Sequence, residues 1–134
     1  VFRMKAAGVT ATLLPGTAFF LGLPYAPARK FLETGVRVAL ASDFNPGSSM
    51  GCNLQLVMTM AVSQMKMTLE EALLGVTVNA AYAMGLEKDV GSIHPGKLCD
   101  LLLCDVPDWQ HLAYFFGVNH VSQVIKRGRV VWGS

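Results

Sequence analysis

Charge is what this sequence has least of. Charged residues make up 15% of its 134 residues and hydrophobic residues 52%, whereas a soluble domain usually carries about 25% charged residues. Lys and Arg number 11 against 9 Asp and Glu, a formal net charge of +2. No cluster of Lys and Arg occurs, so there is no electrostatic basis for binding nucleic acid. Cysteine is scarce too: Cys52, Cys99 and Cys104. An odd, sparse count does not make a disulfide framework and fits a reducing, cytoplasmic location. The sequence has no glycine-rich phosphate loop, no HExxH and no Cys/His finger spacing. It also has no Ser or Cys nucleophile beside a partnered His.

Uncharged runs are present at Ala6–Ala28 and Phe44–Met65, each long enough on paper to cross a bilayer. Pro15-Gly16, Gly22, Pro24 and Pro27 break the first. Asn45, Pro46, Gly47, Ser48, Ser49, Asn53 and Gln55 interrupt the second, so no membrane partner is expected. Val1-Phe2-Arg3-Met4-Lys5 lacks the pattern of a signal peptide. What remains is a buried subunit or a piece of a larger core, because a small globule needs more charge to cover its surface. A first residue of Val rather than Met favours the piece.

Val9–Leu14 (VTATLL) reads as a buried strand that Pro15-Gly16 stops, with a loop following through Pro27. Ala28–Thr34 reads as a short helix with Phe31 and Leu32 inward, closed by Gly35. Val36–Ser42 (VRVALAS) is a second buried strand and runs into the polar loop Asp43–Ser49. Leu54, Val57, Met58, Ala61 and Met65 recur at helical spacing. Thr68 and Glu71 form a capping box that opens a helix reaching about Met84, and Gly85 ends it. Alternating strands and helices with continuously apolar strands predict an α/β fold with a parallel sheet. After Lys88 the texture changes to turns and short strands: Asp100–Cys104, then Val121–Lys126 and Arg129–Trp132 about an Arg127-Gly128 turn. This tail reads as all-β, and Trp109 and Trp132 as packing anchors.

In parallel α/β folds ligands bind beyond the carboxyl ends of the strands. Two loops take that position, after Leu14 and after Ser42. The second sets Asp43 at a strand tip, followed by Asn45, Gly47 and Ser48. A carboxylate there can hold a metal ion or take a proton from water. Asn45 offers donor and acceptor, and Gly47 lets a ligand approach the backbone. The competing reading is plain turn chemistry, with Asp43 capping and Asn-Pro-Gly turning. His94, His111 and His120 form no constellation and read as surface or turn residues. The methionines, mostly near the helices, read as core filling.

The string Ala39-Leu40-Ala41-Ser42-Asp43-Phe44-Asn45-Pro46-Gly47-Ser48 closely resembles the last barrel strand and following loop of the imidazolonepropionase family of the amidohydrolase superfamily. Leu13-Leu14-Pro15-Gly16-Thr17 resembles the end of its seventh strand, and Thr77-Val78-Asn79-Ala80-Ala81 its late helix. Gly91-Ser92-Ile93-His94-Pro95-Gly96-Lys97 with Asp100, and Gly117–Val121 through Arg127-Gly128, resemble its return to a small β-sandwich. The resemblance covers essentially the whole chain. The Asp-Phe-Asn-Pro-Gly loop is its most specific part, and the tail motifs are shared widely among amidohydrolases.

That resemblance implies a (β/α)8 TIM barrel, which takes about 250 residues, so the chain is expected to be the C-terminal part. Residues 1–88 would hold strands seven and eight with their helices, and residues 89–134 the C-terminal strands of the β-sandwich. The implied reaction is metal-dependent hydrolysis of a ring C–N bond of 4-imidazolone-5-propanoate, giving N-formimidoyl-L-glutamate in histidine degradation. Asp43 is implied as ligand of one zinc or iron ion and as acceptor of the water proton. Asn45 and Gly47 are implied to hold the product, and Ser48 the imidazolone. The family's His-x-His and strand-five histidine have no counterpart here, so the other ligands are expected upstream. A homodimer is the assembly the resemblance allows for the full-length enzyme. Another cyclic amidohydrolase or a deaminase, or an inactive truncated product, are the alternatives. With open strand edges, the isolated segment is expected neither to fold stably nor to hydrolyse substrate.

Overall fold

In the computed structural model, which describes residues 1–133, the two apolar runs pair as parallel strands, β1 (Ala11–Leu13) beside β2 (Val38–Leu40). The register sets Ala11 against Val38 and Leu13 against Leu40. Both strands are shorter than the apolar runs that encode them. Val36, Val38 and Leu40 are buried, and Val38 is 0% exposed. Full burial of a Val or Leu side chain stabilises by about 1.5–3 kcal/mol, so β2 is a main anchor of the core.

Ala11 N–H donates to Arg37 O at 2.9 Å and Ala41 N–H to Leu13 O at 3.1 Å. The odd-numbered peptide groups of β2 therefore face β1, and those of Val38 and Leu40 face away. On that far edge Asn79 Nδ2 donates to Val38 O at 2.8 Å.

The helices in chain order are α1 (Phe2–Ala6), α2 (Pro15–Leu21), α3 (Ala28–Glu33), α4 (Leu54–Met65), α5 (Leu69–Val76) and α6 (Val78–Met84). Asn53 caps α4 by accepting from the N–H groups of Gln55 and Leu56. Val57, Met58, Met60, Ala61 and Met65 of α4 are buried with β1, β2 and Ala28 of α3. Met67 also joins this core, as core filling predicts, while Met50 (59%) and Met84 (63%) are exposed. Thr68 and Glu71 make the expected capping box on α5. The Glu71 carboxylate also receives both ends of the Arg29 guanidinium, at 2.7 and 2.9 Å, which ties α3 to α5. This pair holds Glu71 below the usual carboxylate range.

Three expectations change. The loop predicted after Leu14 begins with helix α2, because Pro15 takes the first helical position, where its missing N–H costs nothing. The single helix predicted from Thr68 to Met84 is two, broken at Thr77 (φ −122°, ψ −94°), whose hydroxyl donates to Leu73 O at 2.7 Å. The tail is not all-β, since His111–Tyr114 forms a single helical turn, α7.

In the tail, β3 (Leu101–Cys104), β4 (Val121–Lys126) and β5 (Arg129–Trp132) form an antiparallel sheet in that order. The hairpin bounds match those read from the sequence. Asp100 accepts from Lys126 Nζ and from Arg127 N–H, clipping the hairpin turn to the start of β3. Gln55 of α4 anchors the tail by bonding the Asn119 side chain at 3.1 Å and His120 N–H at 3.1 Å. Trp109 (37% exposed) and Trp132 (54%) lie at the surface rather than anchoring packing. Phe2, Phe19, Phe20, Tyr114 and Phe116 are exposed as well. No helix among the described residues is long and apolar enough to cross a membrane.

Candidate functional site

Parallel pairing puts the carboxyl ends of β1 and β2 side by side, and the two loops singled out in the sequence meet there. Asp43 follows β2 with φ +51°, a left-handed conformation that Asp and Asn tolerate better than other side chains. Non-glycine residues in such conformations concentrate at functional sites. The carboxylate Oδ2 of Asp43 accepts from the Thr17 hydroxyl at 2.7 Å and from the Ser48 hydroxyl at 3.0 Å. These two bonds, Thr17 first, draw the Asp43 carboxyl below the usual carboxylate range. Asp43 is therefore an anion at neutral pH, with Oδ1 outside the hydroxyl pair.

Asn45 builds the turn beside it. Its Oδ1 accepts from Gly47 N–H and Ser48 N–H, both at 2.9 Å. Its Nδ2 donates to Asp43 O at 2.6 Å and to Ser48 Oγ at 2.7 Å. Two N–H donors on one side and two acceptors on the other fix the amide orientation. The Ser48 hydroxyl has one proton and two acceptors in reach, Asp43 Oδ2 and Asn45 Oδ1 at 3.1 Å. The charge-assisted bond to the carboxylate is the stronger, so the proton goes to Asp43. A short antiparallel bridge closes the loop, with Asn45 N–H donating to Ser49 O at 2.8 Å and Ser49 N–H to Asn45 O at 3.2 Å. The Ser49 hydroxyl, buried, donates to Ser42 O at 2.8 Å.

All four residues singled out in the sequence, Asp43, Asn45, Gly47 and Ser48, thus share one hydrogen-bonded cluster. The turn chemistry is real, but its centre is Asn45 rather than Asp43. Gly47 N–H is engaged within the turn, while its exposed Cα face meets only Asn45 Oδ1, at 3.3 Å from an added Cβ. The sequence reading missed Thr17, which reaches Asp43 from helix α2 after β1. No local spacing encodes a bond between residues 26 apart. The histidines bond locally: His94 to Pro95 O, His111 to Asp108, and His120 to Phe115 O. None enters the Asp43 cluster.

An ionised carboxylate is a hard oxygen donor of the kind a metal ion takes. Among the described residues no group of three or more His, Cys, Asp and Glu could hold an ion.

A parallel strand pair with a carboxylate at the carboxyl mouth, a helical layer and an appended antiparallel sheet make an α/β arrangement with a small β unit. The sequence profile of the amidohydrolase family matches residues 3–131. The chain belongs to the amidohydrolase family.

Within it, the chain is 54% identical over 132 residues to an imidazolonepropionase of Treponema denticola, covering 98% of this chain and 32% of that protein. It is 49% identical over 130 residues to an imidazolonepropionase of Bacillus velezensis, covering 96% and 31%. The chain spans about a third of the length of these curated relatives. The fold is also similar to that of an adenosine deaminase from Xanthomonas campestris with bound zinc (TM-score 0.87, 21% identity, 98% of this chain and 34% of that one). A guanine deaminase from E. coli gives a TM-score of 0.82 at 16% identity, over 99% of this chain and 36% of that one.

Proposed function

We propose that this chain is the C-terminal part of a metal-dependent hydrolase of the imidazolonepropionase type. Residues 1–88 supply strands seven and eight of a (β/α)8 barrel with their helices. Residues 89–134 supply the C-terminal strands of a small β-sandwich; Ser134 lies outside the described residues. The carrying observation is the identity of about one half to imidazolonepropionases along nearly the whole chain. The outward edge of β2, which pairs with no further strand among the described residues, and the exposed apolar side chains also support it, since barrel strands are paired on both edges and covered by helices.

In this reading the substrate is 4-imidazolone-5-propanoate. Water oxygen adds to the ring carbonyl carbon, the C–N bond to the adjacent ring nitrogen breaks, and that nitrogen receives a proton. The product, N-formimidoyl-L-glutamate, is the substrate plus one water. A bound zinc or iron ion supplies Lewis acidity toward water and carbonyl. Asp43 is one of the ion's ligands, with the remaining ligands in the rest of the protein. Asp43 Oδ1 takes the proton from the attacking water and passes it to the departing ring nitrogen. The two hydroxyl bonds fix Oδ2 of that carboxylate in place. The Asn45 turn forms the adjoining wall: Asn45 and the open backbone face of Gly47 hold the product, and Ser48 contacts the imidazolone. Binding exchanges part of the turn's internal bonding for bonds to the ligand.

The test is to express the full-length protein, load it with zinc or iron, and follow loss of the imidazolone ring absorption with mass detection of N-formimidoyl-glutamate. Turnover supports the proposal. Hydrolysis of a purine or hydantoin with no action on the imidazolone would refute the substrate assignment.

A further inference from the structure

We propose that Thr17 is a positioning residue for Asp43, holding Oδ2 from across the strand mouth so that Oδ1 is the oxygen presented to the ion and the reacting water. The proposal rests on the reading of Asp43 above and names a residue outside the group first singled out.

Three features of the structure support it. First, the bond is long-range: Thr17 stands on α2 after β1 and Asp43 follows β2, so the 2.7 Å contact spans two adjacent staves. Ser48, the second donor to Oδ2, belongs to the same loop as Asp43 and moves with it. Thr17 is therefore the donor that references the carboxylate to a different strand.

Second, its platform is locked. Pro15 is fully buried at the first position of α2. Gly16 sits so close to the Asp43 loop that an added Cβ would lie 3.1 Å from Ser49 Oγ and 3.5 Å from Ser42 O. Ser49 Oγ is itself bonded to Ser42 O at 2.8 Å. The start of α2 and the exit of β2 thus form one packed unit, and Thr17 follows it directly. Third, Asp43 has φ +51°, a sparsely populated conformation that persists only when its surroundings hold it. Small displacements of a reacting group are costly, with about a hundredfold in rate lost for about 1 Å.

A purely structural tie between loops is the competing role, and Thr17→Val, Thr17→Ser and wild type separate the two in the full-length protein. Val keeps the shape and removes the donor; Ser restores it. Thr17→Val is expected to lower kcat by about ten- to a hundredfold, with KM and the thermal midpoint nearly unchanged. Thr17→Ser is expected to return kcat to near the wild-type value. A readout apart from activity is the visible absorption of cobalt(II)-substituted protein, which reports ligand geometry. It should change in Thr17→Val and match wild type in Thr17→Ser. Wild-type kcat and cobalt spectrum in Thr17→Val would overturn the proposal. So would a Thr17→Ser variant as impaired as Thr17→Val with an equal drop in thermal midpoint. Failure of the wild type on imidazolone propanoate would remove the substrate assignment while leaving the cobalt comparison to decide Thr17. A full-length protein that binds no ion would end both.

Discussion

Gly91 offers a sharp test of how the tail is seated. It passes over the start of α6 with φ +91°, and a Cβ added there would stand 2.7 Å from Ala81 Cβ, 3.1 Å from Thr77 O and 3.3 Å from Val78 Cα. Ala81 is 2% exposed and cannot swing aside. Gly91→Ala therefore meets two costs. Placing an L residue at positive φ costs about 1–2 kcal/mol. Forcing a methyl into packed backbone and a buried methyl costs about 1–3 kcal/mol more. The expected total is about 2–5 kcal/mol.

Gly96 supplies the control. Its φ is +92°, yet an added Cβ finds no heavy atom within 4 Å, so Gly96→Ala meets only the first cost. Urea midpoints of both variants in the full-length protein give the comparison. Gly91→Ala should be the less stable by the steric share, about 1–3 kcal/mol. Equal midpoints for the two variants would refute the close seating of the tail on α6.

Two further outcomes follow from the helical layer. Thr68→Ala removes the cap of α5, whose hydroxyl accepts from Glu71 N–H at 3.2 Å; it should cost about 1 kcal/mol in urea unfolding, and Thr68→Ser should recover most of it. Glu71 is held below the usual carboxylate range, chiefly by Arg29, so its contribution is present above its unfolded pKa of about 4.3 and is lost as pH falls through the lower folded value. The stability deficit of Glu71→Gln should accordingly be greatest near neutral pH and fade below about pH 4; a deficit that does not change with pH would contradict the ion-pair account.

The elements legible in the sequence are those whose cause is local. Apolar β-branched runs marked β1 and β2, the Thr68–Glu71 box opened α5, and Arg127-Gly128 placed the final hairpin. Asp43 was legible for the same reason, as a carboxylate at a strand exit followed by turn residues. What was missed depends on context. Pro15-Gly16 can stop a strand or start a helix, and the buried seat of Pro15 decides for the helix. The break at Thr77 is one of backbone angle, φ −122° and ψ −94°, and nothing in the apolar spacing marks it. Trp109 and Trp132 read as packing anchors by residue type alone, which fixes no burial. Thr17 could be joined to Asp43 only once β1 and β2 were known to lie side by side.

If Asp43 is both a ligand and the proton acceptor of an imidazolone-hydrolysing site, removing its charge alone disables both roles. Asp43→Asn in the full-length protein is that change, because Asn keeps the size and loses the charge. The bound ion should be lost or weakened under chelator competition, and turnover of 4-imidazolone-5-propanoate should fall by about 10²- to 10⁴-fold. The folded state should be retained. Wild-type turnover and metal content in Asp43→Asn would rule out both roles.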